Sequence, residues 1–199
     1  GRVGVDLNLF YTKVENFQAQ KCIYDPVQKC GPINVSQVIS KGVELDLFGK
    51  PMRNLTINAG FIYNPVTYPD GFVGSDLTPL GGTQMTGAPV YKFTLSGEYV
   101  ANLANNYQAV IGFDTIYKSL VHIYPSSNPD FDLKAHWISG ARLSLRFPNR
   151  TTSVSLYVRN ISNTPEPINI YPGPLDGDTH QVLYKQGLRA VGLSLDQSF

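Results

Sequence analysis

Charge is what this sequence has least of. Asp, Glu, Lys and Arg make up 16% of its 199 residues, against about 25% in soluble domains, and the formal net charge is +1. Such a chain projects no long-range field, so its composition gives no argument for nucleic acid as a partner. Long hydrophobic runs are missing too, and nothing approaches the roughly 18 consecutive apolar residues of a transmembrane helix. Helical periodicity does not persist anywhere; residues 102–106 are too short to matter. There is no Gly-x-Ser-x-Gly elbow and no phosphate-binding loop. The three histidines, His122, His136 and His180, lack the spacing of a metal-ligand set. The carboxylates are scattered. Glu44, Asp46, Glu98 and Asp114 read as a hydrated wall paired with Lys92, Arg142, Arg146 and Arg159, not as an acid–base pair for hydrolysis. An enzyme is not expected, nor a cofactor, nor a metal centre.

Strand-formers are plentiful, with twelve Tyr and ten Phe against one Trp. Apolar residues alternate with small or polar ones in eight stretches, about residues 2–17, 37–48, 55–63, 90–100, 107–117, 137–147, 153–159 and 184–199. In the last of these Val191, Leu193, Leu195 and Phe199 alternate with Gly192, Ser194, Asp196 and Ser198, and Gln197 departs from the pattern. Connections alternate in length: those at 49–53, 101–106 and 148–152 are tight, and the others are long. Aromatics gather at strand ends. Tyr11, Tyr63, Tyr91, Tyr117 and Trp137 lie toward the long loops, with Phe48, Tyr99, Tyr107, Phe147 and Phe199 toward the short turns. Short turns, long loops and two aromatic girdles describe an all-β transmembrane antiparallel β-barrel of the outer-membrane type. A half-buried soluble sandwich or jelly roll also alternates, but it needs neither feature. In the barrel reading Leu45 and Leu143 face lipid, whereas Ser144 faces the lumen and should tolerate an Arg. Cys22 and Cys30, close together in a loop-like stretch, favour a disulfide in an oxidising compartment over two free thiols. Closing that short loop is worth roughly 2.6 kcal/mol in the chain-entropy picture.

Several segments resemble TonB-dependent outer-membrane receptors near their C-terminus: VISKGVELDLFGKPMRNLTINAGFIY (38–63), APVYKFTLSGEY (88–99), ISGARLSLRF (138–147), VSLYVRNISNT (154–164) and GLRAVGLSLDQSF (187–199). The resemblance covers nearly the whole chain, in the family's order. It implies that residues 1–199 are about eight C-terminal strands of a 22-stranded barrel, with the family's N-terminal plug absent from this chain. A free-standing eight-stranded barrel with a structural or adhesion role is the competing membrane reading. The opening GRVGVDLNLFY, already in strand pattern and without a leader, is expected of a piece of a longer protein. The family's function implies active uptake of a scarce extracellular ligand, commonly a ferric siderophore, across the bacterial outer membrane. Expected partners are outer-membrane lipid, that ligand, and TonB acting through the plug. Candidate ligand-facing residues on the long loops are Tyr68, Asp70, Phe72, His122, Tyr124, Tyr171 and His180, because aromatic rings in aqueous loops offer platforms for a ligand.

Overall fold

A computed structural model of the protein describes residues 2–24, 28–173, 178–183 and 187–198, with backbone alone at 20–24, 28–30 and 36. The strands in chain order are β1 (Arg2–Tyr24), β2 (Gln28–Met52), β3 (Leu55–Tyr63), β4 (Tyr91–Asn102), β5 (Gln108–Lys118), β6 (Val121–His122), β7 (Asp132–Leu133), β8 (His136–Arg146), β9 (Thr152–Arg159), β10 (Pro167–Pro172), β11 (Thr179–Leu183) and β12 (Ala190–Gln197). Eight of them form one antiparallel sheet in the order β1-β2-β3-β4-β5-β8-β9-β12, while β6–β7 and β10–β11 are small hairpins inside the long loops. The sheet is open, with β1 and β12 at its two edges. Among the described residues no helix is long and apolar enough to cross a membrane.

Period-two alternation turns each register row into one face. Leu7, Leu45, Phe61, Phe93, Tyr117 and Trp137 are successive cross-strand partners on one side. Asn8, Glu44, Ile62, Lys92, Lys118 and His136 form the adjacent row on the other. The first side is apolar and uncovered: Leu7 is 66% exposed, Leu143 54% and Leu193 74%. An apolar face that continuous far exceeds the patches a soluble monomer carries. It requires a non-aqueous cover. Polar side chains on such a face need partners within the protein. Thr115 Oγ1 and Ser139 Oγ, cross-strand neighbours on this face, share a 2.7 Å hydrogen bond.

The aromatic girdles have a local cause in cross-strand contact. At the long-loop end Tyr63 stacks on Tyr91 at 5.1 Å, and Tyr117 packs on Trp137 at 4.9 Å. At the short-turn end Tyr107 meets Phe147 at 5.5 Å. Phe48 does not belong to this set. It pairs with Gly4 and Asn58 on the polar face, and its ring covers Gly4, where a Cβ would lie 2.6 Å from the ring. Strand-end position suggested the girdle; parity decides against it. Phe199 and residues 184–186 of the closing stretch lie outside the described residues.

Three further expectations are corrected. The cysteine-bearing segment is not a loop: β1 and β2 remain paired from Arg2↔Lys50 out to Tyr24↔Gln28. The hairpin therefore continues well past the wall, although Pro32 and Gly31 read as loop signals. Nor does β2 stop at Gly49, because a register shift between Gly49 and Met52 carries it on to the turn. Gly49 has φ +152, and a Cβ there would sit 2.3 Å from the Arg2 carbonyl, so the close approach of β1 requires glycine. Ser144 does face the polar side, but it is only 6% exposed and accepts a 2.7 Å hydrogen bond from Ser155 Oγ. Its cross-strand neighbour Val110 is fully buried. No room is left there for an arginine.

Candidate ligand-binding loops and the polar face of the wall

Alternation places most of the charged side chains of the wall on the polar face. Thr56, Asn58, Glu98, Asp114, Arg142 and Asp196 are among the residues lining a cavity of about 650 Å³ there. Arg142 Nη2 donates to Glu98 Oε2 at 3.0 Å, and Arg146 Nη2 donates to Glu98 Oε1 at 3.4 Å. The other expected pairings are not made. Arg159 lies over the Tyr157 ring at 5.1 Å, and Lys92 has no carboxylate partner among the described residues. These exposed pairs fix side-chain positions more than they stabilise, since such pairs are worth about 0–1 kcal/mol.

The long connections gather at the opposite end of the sheet from the tight turns. Residues 64–90 fold onto the projecting part of β1 and β2. Val35 and Val38 form a small core with Tyr68, Phe72, Leu80 and Met85, edged by Phe17 and Ile33. Tyr68 and Phe72 stack at 4.2 Å with their rings 4° apart, and they are 5% and 4% exposed. Both rings hold the loop together; they are not surface platforms. The Tyr68 hydroxyl shares a 3.0 Å hydrogen bond with Thr86 Oγ1. Tyr68 also reaches a cavity of about 150 Å³ whose other walls include His122 and Tyr124, so three of the expected residues converge there. Asp70 lies with Phe72 on a separate cavity of about 160 Å³ beside Ile33. His122 shares a 2.6 Å hydrogen bond between its Nδ1 and Asp132 Oδ1, its cross-strand partner on β7. Tyr124 packs on Phe131 at 5.0 Å. Tyr171 and His180 face each other across the β10–β11 hairpin, with rings 5.8 Å apart, and neither lines the two cavities shared by the other candidates. Cys22 and Cys30 are direct cross-strand partners near the tip of the β1–β2 hairpin.

Side chains that the sequence did not single out tie these loops to each other and to the wall. Asp76 Oδ2 accepts from Ser126 Oγ at 2.6 Å and from the Ser127 N–H at 3.2 Å, and its Oδ1 accepts from the Thr78 N–H at 3.1 Å. Burial pushes this carboxyl up, but the hydrogen bonds from Ser126, Thr78 and Ser127 outweigh it and hold Asp76 below its ordinary range. Beside it the Ser75 N–H donates to the Pro125 carbonyl at 2.7 Å, and the Gly87 N–H donates to the His122 carbonyl at 2.8 Å. Residues 64–90 and 119–135 thus form one clipped unit.

A second tie holds the loop after β9. Asn160 is 6% exposed with φ +48. Its amide nitrogen donates to the Thr164 and Gly187 carbonyls, both at 2.8 Å, and its amide oxygen accepts from the Thr164 N–H at 3.0 Å. That one side chain closes both ends of the loop. Glu166, further along it, pairs with Lys118 at the end of β5. The only sequence signal for Asn160 was its place in RNISNT; as an Asn-x-Ser match it means nothing. Asp76 and Ser126 stand fifty residues apart and gave no signal at all.

The sequence profile described as TonB dependent receptor-like, beta-barrel matches residues 1–161. A search of curated protein sequences finds no match. Among solved structures, the ferric-catecholate import receptor Fiu from K12 E. coli superposes with a TM-score of 0.69 at 20% identity, over 100% of this chain and 25% of that one. The ferric yersiniabactin uptake receptor FyuA from Yersinia pestis gives 0.76 at 14%, over 99% and 28%. The ferripyoverdine receptor of Pseudomonas aeruginosa, bound to ferripyoverdine, gives 0.67 at 16%, over 100% and 25%. This chain therefore spans about a quarter of the length of these receptors, and at such identities the superpositions speak for the fold alone. With its open antiparallel wall, its alternation of short turns and long loops and its profile match, the chain belongs to the TonB-dependent receptor β-barrel family.

Proposed function

We propose that this chain is the C-terminal part of the barrel of a receptor that takes up a ferric siderophore across the bacterial outer membrane. The apolar face meets lipid, the polar face lines the lumen, and the long loops stand on the extracellular side. A plug domain outside this chain couples ligand entry to TonB. The chain contributes wall and loops and performs no catalysis. The observation that carries this reading is the match of residues 1–161 to the TonB-dependent receptor barrel profile; the fold is shared with receptors named for ferric-chelate uptake, which supports the choice of ligand class. The open sheet supports a larger cylinder over a self-contained eight-stranded one, because β1 and β12 are not partners.

The ligand-facing surface combines His122, Tyr124 and Asp70 on the clipped loops with Tyr171 and His180 on the β10–β11 hairpin. Tyr68 and Phe72 lie beneath and set the shape of that surface. A Cys22–Cys30 disulfide closes the hairpin tip. The test is uptake of radioactive iron by iron-starved cells supplied with defined siderophores. Uptake of at least one ferric siderophore should disappear when either the receptor gene or TonB is deleted. Uptake of every one of them unchanged by receptor deletion would refute the proposal.

A further inference from the structure

Lys92, Lys118 and His136 are successive cross-strand partners on the polar face, at the end nearest the long loops. Two ammonium groups directly opposite each other on an antiparallel ladder repel. A sequence that keeps such a pair breaks a local rule, and broken rules concentrate at functional sites. Glu166, brought in by the segment before β10, answers only part of this charge: it pairs with Lys118, and its Oε1 lies 3.9 Å from His136 Nε2. The His136 side chain is 8% exposed, and its Nδ1 is engaged by the Lys134 carbonyl at 2.8 Å. Its Nε2 is buried without a hydrogen-bond partner. Glu44, the nearest acid on the same row, stands two strands from Lys92, beyond Ile62. Two facing ammonium groups share a single carboxylate, and one of them meets none among the described residues, which points to an acceptor oxygen from outside the chain.

We infer that Lys92 and Lys118 form a recognition row for an anionic oxygen group of the incoming iron chelate, carboxylate or catecholate, and that Glu166 is the resident counter-ion which that group displaces. The inference rests on the uptake reading above and narrows its ligand to a negatively charged chelate. Displacement exchanges one charge-assisted contact on Lys118 for another, and it adds Lys92. Glu166 leaves easily, since its side chain is 30% exposed and lies on no strand.

The test uses the complete receptor in detergent, titrated calorimetrically with four probes: citrate alone, iron(III) citrate, the iron(III) complex of 2,3-dihydroxybenzoate, and ferrioxamine B, which is cationic. Lys118→Gln and Lys92→Gln should each weaken the anionic probes by about tenfold, and Glu166→Gln should tighten them by a similar factor. The same substitutions should not weaken ferrioxamine B. Citrate and the catecholate distinguish the two sources of anionic oxygen. Lys92 makes no ion pair among the described residues, so its substitution remains informative if Lys118→Gln disturbs the barrel. Anionic probes bound equally by wild type, Lys92→Gln and Glu166→Gln would overturn the row while leaving iron-chelate uptake standing. Lys92-dependent binding of citrate with no iron(III) complex bound would keep the row and overturn the uptake reading. An absence of binding by every anionic probe would overturn the row.

Discussion

Placing an arginine at Leu143 puts the orientation of the wall at stake. Leu143 is 54% exposed on the apolar face, and its cross-strand neighbours are Ile111 and Leu156. On this strand the girdles are marked by Trp137 and Phe147, about ten residues apart; at about 3.4 Å per residue and a tilt near 40° the band between them is about 26 Å tall. Leu143 lies about one residue from its middle. A guanidinium there must either be desolvated or bend the bilayer, at a cost of about 2–4 kcal/mol, which is about 30- to 1000-fold in the folding equilibrium. The control is Asn58→Arg, on the polar face, exposed, and within the cavity that also contains Asp114; there the cost should be under about 0.5 kcal/mol. Each variant would be made in the complete receptor and refolded into lipid vesicles across a urea series, with the heat-modifiable gel shift reporting the folded fraction. Equal losses for Leu143→Arg and Asn58→Arg would refute the assignment of faces. Ser144→Arg belongs with the damaging variants despite facing the lumen, because the site is buried and its hydroxyl is already bonded.

Asn160→Ala should destabilise the loop after β9 by about 1–3 kcal/mol, since it strips partners from half-buried backbone groups; hydrogen exchange at the Thr164 amide should accelerate, with the wall amides of β8 unchanged. Asp76→Ala should open the clip between residues 64–90 and 119–135, read as faster proteolysis in both segments. Because the folded state holds the Asp76 carboxyl below its ordinary range, its contribution is full above the unfolded value of about 3.9 and is lost as pH falls through the depressed folded value. Protection of the Ser127 amide should therefore survive at neutral pH and fade on strong acidification, and an unchanged profile would contradict the hydrogen-bond account. Mass analysis after thiol alkylation should show Cys22 and Cys30 labelled only when a reductant is added first.

The wall was legible because a strand with one face in lipid and one in water writes its alternation directly into the chain. Each of the eight alternating stretches carries a strand of the sheet, although β1 and β2 run well beyond theirs. Parity, when followed strictly, also gave the correct face for Ser144; position near a strand end, a weaker rule, gave the wrong face for Phe48. Burial on the polar face was not legible, since it depends on what Val110 and Ser155 leave uncovered, not on residue type. The outer half of the β1–β2 hairpin was hidden by Gly31 and Pro32, which signal loops in isolation yet occur here beside a sheet edge. The loop ties were hidden for another reason. A hydrogen bond from Ser126 to Asp76 crosses fifty positions of sequence, and no periodicity connects its two ends.

The sequential order of the sheet has a consequence for biogenesis. From β2 onward each wall strand pairs with the wall strand that precedes it in the chain, so the sheet can grow one hairpin at a time along a single advancing edge. Low sequence separation between partners makes each such step fast. The clips between loops have no such freedom, because Asp76 can meet Ser126 only after β4 and β5 have been laid down between them. Assembly therefore has a built-in schedule: the β4–β5 hairpin first, and the clip between the loops on either side of it afterwards.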